Sequence, residues 1–335
     1  METIDHLDRP LHDLRISVTD RCNLRCTYCM PKEIFGRDYH FLPHDQLLTF
    51  EEAARISRIF VDLGVRKIRL TGGEPLMRRE LENLVAMLGA IDNLEDLSIT
   101  TNGSFPIKRV RSLKAAGLRR MNVSLDALDD ETFTAMNDVN FPVAKVLAWI
   151  EASAEVGLNP VKINMVVKRG INEHAILPMA HYFREKGHVL RFIEYMDVGH
   201  SNGWRLDDVV TAREIHDLIH AELPLEPLEA NYSGEVAERY RYADGSGEIG
   251  IIASVSQPFC GACSRARLSA DGQLYTCLFA IKGTDLRSLL RGGASDQELR
   301  QAVSQVWQKR IDRYSELRSA QTADLPKVEM SYIGG

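Results

Sequence analysis

Between residues 14 and 196 short apolar runs alternate with amphipathic stretches, and no other feature restricts the fold of this chain as tightly. The strand-like runs cover residues 14–18, 67–70, 97–100, 119–125, 162–167 and 190–196. The stretches between them predict helices over 50–63, 79–88, 107–115, 143–155 and 173–185. In the first of these, Ala53, Ala54, Ile56, Ile59, Phe60 and Leu63 recur at helical spacing, and the fourth ends at Gly157. Six β-elements joined by helices imply a parallel sheet with right-handed crossovers. A closed eight-unit barrel needs two more repeats. The expected fold is therefore α/β, a partial (β/α)6 barrel with a C-terminal extension, its functional groups gathered at the C-terminal edge of the strands. Periodicity alone leaves a flat, doubly wound sheet open as the alternative.

After Gly199 the texture changes. Residues 201–208 read as a loop, 211–220 as a helix, 229–255 as a strand-and-turn region, and 267–277 as a hairpin turning at Asp271-Gly272. A final helix is expected over 296–318, and the tail from residue 325 has no pattern. The expected division is a barrel over residues 1–200 and an extension over 201–335. A chain of 335 residues with 44% hydrophobic content can bury a core of that size. Its net charge of -6 supplies no global attraction for nucleic acid or an anionic membrane, so an anionic ligand needs a local cluster of Arg and Lys. The polar opening segment, and the lack of any apolar run long enough to span a bilayer, make a cytoplasmic protein the expectation.

The six cysteines fall into two trios, Cys22/Cys26/Cys29 and Cys260/Cys263/Cys277. In a reducing compartment this pattern points to metal rather than disulfides. Three thiolates can hold three irons of a cubane and leave the fourth iron open to another ligand, whereas a closed structural site wants four. For the first trio the alternative is a zinc knuckle completed by His12, His40 or His44; for the second, spacing alone leaves a structural zinc with a remote histidine equally open. Tyr28 stands beside the last cysteine of the first trio, where it can stack on or hydrogen-bond to a ligand of the open iron. Thr71-Gly72-Gly73-Glu74-Pro75 follows the second strand, and its glycines allow close backbone approach to a ligand. Ser124 ends the fourth strand and Met196 the sixth; either side chain can equally serve packing.

Cations recur in strands that are otherwise apolar: Arg15, Lys67, Arg69, Lys162 and Arg191. They are expected near the same rim, where Arg265 and Arg267, at strand spacing between the later cysteines, add two more. Each alone could pair with Glu74 or Glu194. Several converging from different strands suggest a polyanion such as a triphosphate. No Walker-type glycine loop is present.

The first cysteine motif is the signature of the radical S-adenosylmethionine superfamily. The chain resembles one family within it, the GTP 3′,8-cyclases of molybdenum cofactor biosynthesis, nearly end to end. The matching segments are Asp20 to Cys26, Cys29-Met30-Pro31, Lys67 to Arg78, Thr100-Thr101-Asn102-Gly103, Arg191 to Asp197 and Phe259 to Arg267. The resemblance implies two [4Fe-4S] clusters, with S-adenosylmethionine on the open iron of the first and gripped by Tyr28, Gly73, Ser124 and Met196. The resulting radical takes hydrogen from C3′ of GTP, and the carbon radical attacks C8. The second cluster binds the purine, while the basic residues and Thr100 contact GTP. It further implies a low-potential donor of flavodoxin or ferredoxin type, cyclic pyranopterin monophosphate synthase as the downstream enzyme, and a homodimer. In the family the terminal Gly334-Gly335 pair reaches the active site, although the sequence itself reads as a frayed terminus. Two rivals remain at this level: a radical S-adenosylmethionine peptide maturase with an auxiliary cluster, and a colourless zinc-binding scaffold or nucleic-acid module.

Overall fold

A computed structural model describes residues 3–318 and 326–335. Residues 1 and 2 of the opening segment, and residue 325 at the start of the tail, lie outside them. Six βα units run as expected: β1 (Asp13–Ser17), α1 (Phe50–Asp62), β2 (Lys67–Thr71), α2 (Leu81–Gly89), β3 (Asp96–Thr101), α3 (Lys108–Ala115), β4 (Arg120–Ser124), α4 (Asp130–Asn137), α5 (Val143–Glu155), β5 (Lys162–Val167), α6 (Ile176–Glu185) and β6 (Val189–Glu194). Helix α4 is unforeseen, and its start is fixed by Asp129, whose carboxylate accepts from Thr132 N. Such a cap is worth about 1 kcal/mol. The C-terminal part contributes α7 (Ala212–Glu222), β7 (Leu225–Leu228), β8 (Glu238–Tyr242), β9 (Glu248–Ile252), β10 (Arg265–Leu268), β11 (Gln273–Tyr275), β12 (Thr284–Asp285), α8 (Leu286–Arg291) and α9 (Asp296–Gln308).

All twelve strands form one open sheet in the order β12-β11-β10-β1-β2-β3-β4-β5-β6-β9-β8-β7. The six expected strands are flanked by two more parallel ones, β10 beside β1 and β9 beside β6. The hairpin expected over 267–277 is present as β10 and β11, antiparallel. Alternation decides which way each strand faces. In β2, Ile68 and Leu70 are buried against the helices while Lys67, Arg69 and Thr71 point to the other face. Trp149, Phe60, Phe183 and Leu84 fill the layer between sheet and helices.

The sheet curls. The loop after β7, at one edge, carries Tyr232 over Lys67 of β2 and against His12 just before β1. The concave face is therefore a bore, closed at the lower end (the strand starts) by a loop instead of by strand pairing. The flat-sheet alternative is excluded by this contact. One expected element is shorter than read: the helix over 296–318 stops at Gln308, because Arg310 turns inward to bond Cys263 O at 2.6 Å. No helix among the described residues is long and apolar enough to cross a membrane.

Candidate active site

The two trios lie at opposite mouths of the bore. Cys22, Cys26 and Cys29 follow β1, at the strand ends. Cys260 and Cys263 immediately precede β10, which runs parallel to β1, so they stand at the strand starts. Cys277 follows β11, which returns antiparallel to that same level. All six cysteines are free thiols.

Burial pushes the Cys22 thiol up to about 11 and Cys26 well above its ordinary range, with the neighbouring thiols adding to the effect at Cys26. At the lower mouth burial likewise raises Cys277, to about 11. Cys263 behaves differently. Burial opposes its ionisation, yet the guanidiniums of Arg265 and Arg310 bring it down to about 6, and Arg265 Nη2 lies 3.3 Å from its sulfur. Crowded thiols favour a metal in place of their protons. Among the described residues, no three His, Cys, Asp or Glu side chains are grouped to hold a single metal ion. The three thiolates of each trio could supply one ligand apiece to three irons of a cubane. Of the histidines considered as completing ligands, His12 stands at the lower mouth, away from the first trio, and its Nδ1 faces Asp13 at 3.2 Å.

The loop of the first trio is moulded on the glycines after β2. A Cβ on Gly72 would stand 2.4 Å from Thr19 O, and one on Gly73 2.3 Å from Arg21 O. Both positions require glycine. Glu74 beyond them is buried and takes Thr101 Oγ1 at 2.7 Å, Asn102 N at 2.8 Å and Leu76 N at 3.0 Å. Burial raises its carboxyl to about 7 against those donors. Asn102 Nδ2 in turn approaches Cys22 Sγ at 3.9 Å. Tyr28 donates to Asp126 Oδ2 at 2.9 Å, and Asp126 also accepts from Val166 N. Ser124 and Met196 lie at the same mouth, at the ends of β4 and β6.

The cations do not share one rim, as the sequence suggested. Lys67, Lys162 and Arg265 are the first residues of their strands and stand at the lower end; Arg15, Arg69, Arg191 and Arg267 line the middle. Strand register sets this division, because parallel neighbours align start with start. The carboxylates considered as their partners are engaged elsewhere. Glu74 is saturated as above, and Glu194 accepts from Ala212 N, Val255 N and Ser256. Arg191 donates to Asn122 Oδ1 at 2.8 Å, and Arg267 to the carbonyl of Gly334. Among the described residues no carboxylate ion-pairs with any of these seven side chains. Arg120, which the sequence reading missed, also faces the bore but is held by Asp96 through Nε at 2.8 Å.

Burial, and then neighbouring cations, disfavour the charged forms of Arg15, Arg191 and Arg267. Arginine keeps its proton in proteins, so the cost is relieved by an incoming anion. Among the described residues, Arg69 Nε, Thr100 Oγ1, Arg191 Nε and Asn164 Oδ1 are buried without hydrogen-bond partners, so the strands carry polar atoms that a ligand could satisfy. A pocket opens at the lower end, between the starts of β1 to β4, Arg265 and the loop carrying Tyr232.

The tail is ordered. A helical turn, Met330–Ile333, leads Gly334 at φ +77° to within van der Waals contact of Thr71, where a Cβ would stand 2.5 Å from the threonine methyl. Lys327 is buried on Asp197 at 2.9 Å, and Glu329 takes Ser201 Oγ at 2.9 Å. The frayed terminus expected from the sequence is thus corrected by these distant anchors. Beneath the second trio, buried Arg9 donates to Cys260 O at 2.8 Å and Asp312 O at 2.7 Å, with Asp5 neutralising it.

Comparison with known proteins gives a consistent result. Residues 16–183 match the radical SAM superfamily and residues 188–316 the family described as Molybdenum Cofactor Synthesis C. A GTP 3′,8-cyclase of Acidothermus cellulolyticus is 52% identical over 99% of this chain and 98% of its own. One from Staphylococcus aureus is 50% identical with the same coverage. Among solved structures, Streptococcus suis SuiB bound to S-adenosylmethionine superposes with a TM-score of 0.61 at 17% identity, over 93% of this chain and 69% of that one. That likeness concerns the fold alone.

Proposed function

Since the chain belongs to the GTP 3′,8-cyclase family of radical S-adenosylmethionine enzymes, we propose that its bore holds the nucleotide between the two cysteine trios. The enzyme is a lyase of molybdenum cofactor biosynthesis that converts GTP to (8S)-3′,8-cyclo-7,8-dihydroguanosine 5′-triphosphate, using S-adenosyl-L-methionine and two [4Fe-4S] clusters. When bound, the first cluster supplies the electron that cleaves S-adenosylmethionine, and the second offers an open iron to the purine.

Cys22, Cys26 and Cys29 hold the upper cluster, and Cys260, Cys263 and Cys277 the lower. Tyr28, Gly73, Ser124 and Met196 surround S-adenosylmethionine. Arg15, Lys67, Arg69, Lys162, Arg191, Arg265 and Arg267 neutralise the triphosphate, and Thr100 donates its unpartnered hydroxyl to GTP. Gly334 and Gly335 enter from the upper mouth and exclude water without adding side chains. The observation that carries this reading is the set of seven cations from five strands lining one bore, none of them ion-paired with a carboxylate among the described residues. A low-potential flavodoxin or ferredoxin delivers the electron, cyclic pyranopterin monophosphate synthase consumes the product, and the chain works as a cytoplasmic homodimer without nucleic acid or membrane.

Protein purified without oxygen is expected to carry about eight irons per chain, four for each cluster. Alanine at Arg69 or Arg191 is expected to weaken GTP binding about tenfold to a hundredfold, from about 1.5–3 kcal/mol per charge-assisted bond, while S-adenosylmethionine cleavage persists. Zinc in place of iron, or unaltered GTP affinity in both variants, overturns the assignment.

A further inference from the structure

The loop between β7 and β8 sets Tyr232 into the lower end of the bore, where its ring covers Lys67 with Nζ 3.0 Å from the ring centre. The ring also stacks with His12, centroids 5.7 Å apart. Two constraints fix its place. Within the loop, Asn231 N bonds Glu235 Oε2 at 2.7 Å and Glu235 N bonds Tyr232 O at 3.2 Å. Beneath it, Gly234 at φ +89° packs so closely on the second cysteine loop that a Cβ would stand 2.6 Å from Ala262 O. Tyr232 lines one pocket with the guanidinium-bearing Arg15, Arg69, Arg120 and Arg265. Its hydroxyl has no hydrogen-bond partner among the described residues.

A neutral donor surrounded by guanidiniums has a narrow range of uses. It cannot ion-pair with them, and it can bond an anion that they have drawn in without adding charge. We propose that Tyr232 is a substrate contact: its hydroxyl donates to a phosphate oxygen of the nucleotide while its ring shields the Lys67 ammonium from water. The proposal rests on the reading that the bore holds GTP. It adds to that reading a residue outside every cysteine, glycine and cation motif, supplied by the loop that closes the lower mouth. The loop thereby couples phosphate recognition to the position of the second cysteine trio, through Gly234 and Ala262.

Binding of GTP and of inorganic triphosphate to the oxygen-free holoenzyme tests it. Tyr232→Phe keeps the ring, its packing and about eight irons per chain, and is expected to weaken both ligands about tenfold, as loss of one hydrogen bond to a charged group predicts. Tyr232→Ala weakens both at least as much. Equal affinity in native protein and Tyr232→Phe overturns the contact. So does weakening of GTP alone, which assigns the tyrosine to the base, and so does tighter binding by Tyr232→Ala, which makes the ring a plug. If the native holoenzyme binds neither ligand, the bore reading itself fails.

Discussion

Burial holds the Lys162 ammonium down to about 8, and the nearby Arg191 and Arg120 add to the push. It is therefore charged at neutral pH and loses its charge as pH rises through 8, well before an ordinary lysine near 10.4. GTP affinity is expected to fall between pH 7 and 9, and the fall should flatten in Lys162→Arg, whose guanidinium stays charged. A native affinity that does not move over this range would remove Lys162 from the phosphate site. At this scale much was legible. Arg15, Arg69 and Arg191 stand out because an unpaired guanidinium in an apolar strand is costly, and the alternation of Lys67 and Arg69 assigns their face. Arg120 was hidden by its neighbour Arg119, since alternation alone does not say which of two adjacent arginines faces inward. Tyr232 had no signal at all: its loop has no periodicity, and its role depends on the curl that brings the far edge of the sheet back to β1 and β2.

Among the elements, the closing tail departs most from its sequence. One helical turn is too short to show a period, and its anchors, Asp197 for Lys327 and Ser201 for Glu329, lie more than a hundred residues away. Removing Gly334 and Gly335 is expected to leave both clusters loaded and S-adenosylmethionine cleavage running while cyclisation stops. Gly334→Ala should approach the same outcome, because its new methyl meets Thr71 at 2.5 Å in a backbone conformation that favours glycine. Normal product formation by the truncated protein would dismiss a role for the tail. Strands were expected in the C-terminal part, but the parallel places of two of them in the sheet were not, for a related reason. β9 and β10 are five and four residues long, and their place beside β6 and β1 is set by pairing, not by local pattern. The overlong reading of α9 failed where Arg310 exchanges helix for contacts to Cys263 and Asp5.

For the molecule as a whole, the trios stand at opposite ends of the strands, and loss of one cluster is expected to leave the other loaded. Cys22→Ser is expected to lose about half the iron and all S-adenosylmethionine cleavage, yet still bind GTP. Cys263→Ser should lose a similar share, weaken GTP and keep the cleavage. Loss of all iron in either variant would show that the mouths depend on each other. The general architecture was legible because βα alternation reports on every unit. What joins the two halves was not, since it rests on buried groups that are close only after folding. Arg9 shows this best, with Cys260 O and Asp312 O both on one guanidinium nitrogen. The scaffold of the lower mouth is thus shared between stretches 251 and 303 residues apart in the sequence. It draws on residue 312, whereas the loop of the first trio and the glycine cradle it is moulded on are encoded close together, between residues 19 and 103.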